Sequence, residues 1–180
     1  EKTRVQNIIE MKRIVVAIDP SGSSGENSSE AGIVVCGLGT DGHFYVIRDT
    51  SMRSSPGQWA RKSVDLYHEY HADRIVAEKN FGGDMVEALI RQIDPYVSYK
   101  SVSASRGKLI RAEPVAALFE QGQAHLVGSF PHLENELTSF IGSKDQDSPN
   151  RLDAMVWGIT ELMVLVPGFL LHVGKYGKSS

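Results

Sequence analysis

The feature that most constrains this chain is the unbroken apolar run Ile14-Val15-Val16-Ala17-Ile18, which ends abruptly in Asp19-Pro20 and a Gly/Ser-rich stretch reaching Ser29. A strand with no polar alternation is buried on both faces, so the sheet that holds it must be covered by further layers on either side. That requirement points to an α/β sandwich rather than a helical bundle or a one-faced β-sheet. The remaining punctuation agrees. Gly32–Leu38 and His43–Asp49 are β-branched and aromatic runs joined by a turn around Thr40-Asp41-Gly42, which predicts an antiparallel three-strand meander with the first run.

Beyond the meander, Pro56–Tyr70 has helical spacing with Trp59, Val64 and Tyr67 as apolar contacts, and Pro56 suits a helix start. Arg74–Ala77 reads as a strand, Asp84–Ile93 as a helix and Tyr96–Val102 as a strand. Lys108–Gln121 reads as a helix stopped by Gly122, and Ala124–Val127 as a short strand. Pro131–Phe140 and Asn150–Leu165 read as helices around the polar loop 142–149. Strand–helix–strand crossovers of this kind extend a meander into a mixed sheet flanked by helices. Residues 1–11 form a polar lead-in, 12–166 one domain, and 167–180 a C-terminal tail. A chain of 180 residues with 41% hydrophobic and 23% charged residues has enough apolar content for one cored domain without a staple. The apolar stretch Leu162–Val173 is shorter than a membrane span needs and holds Pro167 and Gly168, so a soluble chain with no membrane partner is expected. The single Cys36 lies inside an apolar strand and excludes a disulfide framework; a buried, inert thiol is expected.

Three acids fall where packing alone would not put them. Asp19 ends the first strand, Glu78 follows Ile75-Val76-Ala77, and Asp153 opens a helix whose next turn, Ala154-Met155-Val156-Trp157, is apolar. If the first and fourth strands are parallel neighbours, Asp19 and Glu78 emerge together at one end of the sheet, about 4.8 Å apart. A helix packed across that end would add Asp153. Carboxylates so placed raise one another's pKa unless a cation intervenes. Their hard oxygen donors suit two divalent ions, Mg²⁺ or Mn²⁺, in the arrangement that hydrolyses phosphodiesters. The plainer reading of each also stands: Asp19 as a turn former, Glu78 as a strand-end acid, Asp153 as a helix N-terminal charge.

The blocks Val16–Gly22, Ile75–Asn80 and Ser148–Trp157, with Lys108–Pro114 and Gly128–Leu137 between them, resemble the RNase H-like nuclease domain of phage large terminase subunits, over about Lys12 to Val164. The resemblance implies an RNase H-like fold whose central mixed sheet has five strands or slightly more. It implies a metal-dependent endonuclease that cuts concatemeric double-stranded viral DNA during packaging, in the cytoplasm of the infected host cell. Asp19, Glu78 and Asp153 match the family's metal-binding acids. Where many relatives carry an acidic pair, Leu152 precedes Asp153, so a fourth ligand would come from Asp147 or Asp145 in the preceding loop. Implied partners are an N-terminal packaging ATPase domain, the small terminase subunit and the portal. No G-x-x-x-x-G-K-[ST] phosphate loop is present, so the ATPase is expected outside this chain. A Holliday-junction resolvase or transposase-type nuclease would use the same acids. A sugar-kinase/actin-like ATPase also opens with a strand ending Ile-Asp, and a catalytically silent DNA-docking module is a further alternative.

Nineteen basic and twenty-two acidic residues give a net charge of −3, which excludes a globally cationic nucleic-acid binder and calls for a local basic patch. Lys100, Arg106, Lys108 and Arg111 supply one with no acid among them. Arg106, Lys108 and Arg111 are the expected DNA contacts, with Lys79 beside Glu78, and such contacts go mainly to backbone phosphate. Gly37–Gly42 matches the dinucleotide pattern G-x-G-x-x-G, but a strand follows it rather than a helix, so a hairpin is expected. The six histidines show no ligand spacing, and His68 and His71 read as surface residues.

Overall fold

A computed structural model describes residues 3–20, 30–79, 83–103, 108–139 and 149–166. The elements in chain order are β1 (Arg4–Val5), β2 (Met11–Asp19), β3 (Glu30–Gly39), β4 (Phe44–Asp49), β5 (Met52–Arg53), α1 (Pro56–Glu69), β6 (Arg74–Glu78), α2 (Gly83–Ile93), β7 (Tyr99–Val102), α3 (Lys108–Glu120), β8 (Ala124–Val127), α4 (Pro131–Ser139) and α5 (Asn150–Val164). The eight strands form one mixed sheet in the order β1-β8-β4-β3-β2-β6-β7, with β5 pairing β3 off that path. The expected meander is present: β3 is antiparallel to both β2 and β4. The crossover strands join in parallel, β6 beside β2, β7 beside β6 and β8 beside β4.

Three elements depart from the sequence reading, the first being β5, a two-residue strand paired antiparallel with β3 that no apolar run announces. The polar lead-in contains β1, which pairs with β8 in parallel and is closed by the Arg4–Glu134 ion pair at 2.6 Å. A two-residue edge strand has no periodicity to announce it, because backbone pairing rather than an apolar face recruits it. The strand expected from Tyr96 begins only at Tyr99. Asp94 Oδ1 accepts the Tyr96 N–H at 2.9 Å, and this Asx turn leaves Tyr96 91% exposed before the chain can enter the sheet. The glycine-rich Gly37–Gly42 is a strand end and hairpin, with Gly42 at φ +83°, and β4 follows it.

Side-chain alternation divides the core into two layers. Val16 and Ile18 of β2 face α1 and α2, packing with Trp59, Val64, Leu66, Val86 and Ile90. Val15 faces the other way, with Val34, Cys36, Met155, Ile159 and Leu162. Ala17 faces that second way too, against Trp157 and Val76. Eleven of the fifteen residues of α5 are buried, so this helix lies across the sheet as the central element of the second layer. Cys36 lies beneath it, and burial pushes its thiol far above the ordinary range, as an inert core residue requires.

Candidate active site

The site begins with register. β2 and β6 run parallel with Ile18 opposite Ala77, so one step further sets Asp19 beside Glu78, each the last residue of its strand. Alternation fixes their direction. Asp19 shares a face with Ala17, and Glu78 with Val76, and both of those contact Trp157 of α5. The two carboxylates therefore point to the layer that α5 occupies.

Seating of α5 brings in the third acid. Asp19 pairs with Gly32 of β3, and the Gly32 backbone meets the start of α5 so closely that a Cβ there would lie 2.0 Å from the Asn150 carbonyl oxygen and 3.1 Å from Ala154 Cβ. One turn later, Gly158 lies against Cys36 and Ala17 in the same way. Charge bolts the first turn in place. Arg151 pairs with Glu30, with Asp49 at 3.0 Å and with Glu136 at 3.7 Å, tying α5 to β3, β4 and α4. Asn150 donates to the Glu30 carbonyl at 2.6 Å, and Glu136 accepts the Leu152 N–H at 2.9 Å, serving one of the orphan donors of the helix start. Burial raises the Glu136 carboxyl above its usual range. Asp153 is thus held over the Asp19 end of the sheet, one turn before Trp157 on the same helix face.

All three acids are buried, Asp19 at 4%, Glu78 at 9% and Asp153 at 7% exposure. Each of the Glu78 oxygens has a partner. Trp157 Nε1 donates to Oε2 at 3.2 Å, and the Arg111 guanidinium stands 3.7 Å from Oε1 while stacking on the Trp157 ring at 4.4 Å. Trp157 and this use of Arg111 escaped the sequence reading. The i, i+4 spacing of Asp153 and Trp157 was the available signal. Among the described residues, no three histidine, cysteine, aspartate or glutamate side chains are already gathered around one point. The donor chemistry nonetheless fits divalent ions: three buried carboxylates from three elements share one end and one face of the sheet, and they suit hard cations.

The basic candidates separate. Lys79 is exposed at the strand end next to Glu78, its N–H bonded to Val102 at 2.6 Å. Lys108 opens α3, and Arg111 is turned to Glu78. Lys100 instead pairs with buried Glu161, as does Arg74, both at 2.8 Å. Arg106, Asp145, Asp147, the segment 21–29 and the tail 167–180 lie outside the described residues, as does the Lys108 side chain.

A mixed sheet with an antiparallel meander, parallel crossover strands and acids at its β2/β6 end is the RNase H-like nuclease class of fold. The terminase RNase H-like domain family model matches residues 16–162, and the chain belongs to that family. Among solved structures, the large terminase nuclease of thermophilic phage G20c is similar with a TM-score of 0.64 at 12% identity, over 87% of this chain and 94% of that one. That nuclease has also been solved with zinc, cobalt or magnesium bound. The nuclease domain of the large terminase subunit gp2 of bacterial virus Sf6 follows at 0.59 and 13% identity, over 83% and 89%. Thermus thermophilus RuvC matches at 0.50 and 12% identity, over 89% and 96%. No curated protein sequence matches. The family match sets aside the actin-like ATPase alternative.

Proposed function

We propose that this chain is a metal-dependent endonuclease acting on double-stranded DNA, with Asp19, Glu78 and Asp153 as its metal-binding and catalytic acids. The observation that carries the reading is the burial of these three carboxylates on one face at one end of the sheet. Buried charge of one sign is costly without compensating cations, and hard carboxylate oxygens gathered in this way suit divalent ions. Asp19, Glu78 and Asp153 would hold two Mg²⁺ or Mn²⁺ ions, Asp19 serving both and Glu78 and Asp153 completing one each. When bound, such a pair activates the attacking water and offsets charge on the leaving 3′ oxygen. The magnesium-bound G20c structure and a manganese-bound form of the Sf6 domain support this choice of ion.

The chain's own residues do the rest. Trp157 orients Glu78 through its indole N–H. Lys79 and Lys108, with Arg106, would hold backbone phosphate without reading sequence. Asp147 or Asp145 would supply a fourth carboxylate. By family, the packaging ATPase domain, the small subunit and the portal would be partners, and the infected host's cytoplasm the place of action.

Cleavage of supercoiled plasmid with Mn²⁺, Mg²⁺ or EDTA, beside Asp19→Asn, tests the proposal. Nicking and linearisation that need the ion and vanish in the variant are expected. Full cleavage by Asp19→Asn would overturn it, and cleavage confined to four-way junctions would move the chain to the resolvase reading.

A further inference from the structure

Arg111 is held unlike an ordinary ion-pair partner. Its side chain is 13% exposed, stacked on Trp157, and reaches Glu78 only at 3.7 Å, beyond hydrogen-bond length. Its Nε is buried and has no hydrogen-bond partner among the described residues. A guanidinium committed to a carboxylate normally makes two parallel short bonds, and this one makes neither. Glu78, by contrast, is oriented by Trp157 whether or not Arg111 stays. The stack fixes the guanidinium plane beside the acid cluster while leaving donors unspent.

We infer that Arg111 is a positioning residue with two alternative partners: it serves as the countercation of Glu78 until a divalent ion takes that carboxylate, and then turns its unused donors to a backbone phosphate of the DNA. This rests on the metal-dependent nuclease reading. The ion and the guanidinium cannot share Glu78 cheaply, since like charges a few ångströms apart repel strongly in a partly buried site. Metal loading would thereby be coupled to DNA engagement through one side chain. The planar, multi-donor guanidinium matches a phosphate as it does a carboxylate.

The test measures Mn²⁺ binding to the full chain by calorimetry without DNA, and duplex oligonucleotide binding with and without Ca²⁺. It compares wild type with Arg111→Gln and Arg111→Met, the latter keeping an apolar stem on Trp157. Both variants are expected to bind Mn²⁺ roughly tenfold more tightly, because a competing cation is gone. Both should lose the Ca²⁺-dependent gain in DNA affinity. Arg111→Lys, which keeps the charge, should fall between them and wild type. A merely structural role for Arg111 would not tighten metal binding. Unchanged or weaker Mn²⁺ affinity in folded Arg111→Gln or Arg111→Met overturns the inference, as does a preserved Ca²⁺-dependent gain. Failure of the underlying reading looks different: wild type that binds no Mn²⁺, or Asp19→Asn that binds it as tightly as wild type.

Discussion

At the scale of single residues, the chain places polar groups in two opposite ways. At the carboxyl ends of β2 and β6, acids of one sign are buried together. At the other end of the sheet, histidines, a tyrosine and an aspartate are paired by hydrogen bonds. His43 Nδ1 and His125 Nε2 lie 2.8 Å apart in rings inclined by only 12° with centroids 5.1 Å apart. Such a short contact between nearly coplanar rings is an N–H···N hydrogen bond, so one ring must be neutral there. Asp41 accepts the Tyr45 hydroxyl at 2.6 Å and lies 4.0 Å from His43. Burial, and then the neighbouring His43, hold the His125 pKa below its ordinary value. A depressed histidine leaves stability intact above the unfolded-state pKa of about 6.5, and that stability is lost as pH falls through the folded value. Thermal unfolding between pH 7.5 and 5 should therefore show Tm falling with pH in wild type and falling less in His125→Gln. Equal slopes would remove the pair from the account. Nothing in the spacing of these histidines, 82 residues apart, announces the bond; only the parallel pairing of β4 with β8 brings them together.

At the scale of elements, α5 carries most of the organisation. It is fastened at its start by Arg151, along its length by Gly32 and Gly158, and near its end by Glu161, which is 4% exposed and accepts from both Arg74 of β6 and Lys100 of β7. These contacts make the position of Asp153 a consequence of how the helix is seated. Gly32→Ala would place Cβ 2.0 Å from a backbone oxygen that has no rotamer to escape into. Overpacking of this kind costs about 1–3 kcal/mol, and for a chain of this size each kcal/mol lowers Tm by roughly 2–4 °C. The activity loss should exceed what instability explains, because misplacing a reacting group by about 1 Å can cost on the order of 10²-fold in rate. A folded Gly32→Ala with unchanged cleavage would show that Asp153 does not depend on this seat.

For the whole molecule, the fold was legible wherever burial imposes a period on the chain. The apolar run before Asp19, the two runs of the meander, and helices α1, α3 and α5 stand out because each buries a face or an entire strand. Asp19, Glu78 and Asp153 were legible as candidates for the converse reason: each is an acid directly beside an apolar run, near the end of its element. What escaped depends on contacts that periodicity does not encode. β1 is recruited by backbone pairing, β7 is shortened by a side-chain turn at Asp94, and Lys100 is drawn from the basic patch to buried Glu161. Arg111 was legible as a cation near the site, while its placement on Trp157 required α3 and α5 to meet.

The most direct test of the acid cluster is anomalous scattering from crystals of the chain grown with Mn²⁺. Two manganese peaks bounded by Asp19, Glu78 and Asp153, absent from Asp19→Asn crystals, are the expected result. Manganese bound elsewhere on the surface with these three carboxylates left unligated would contradict the central claim.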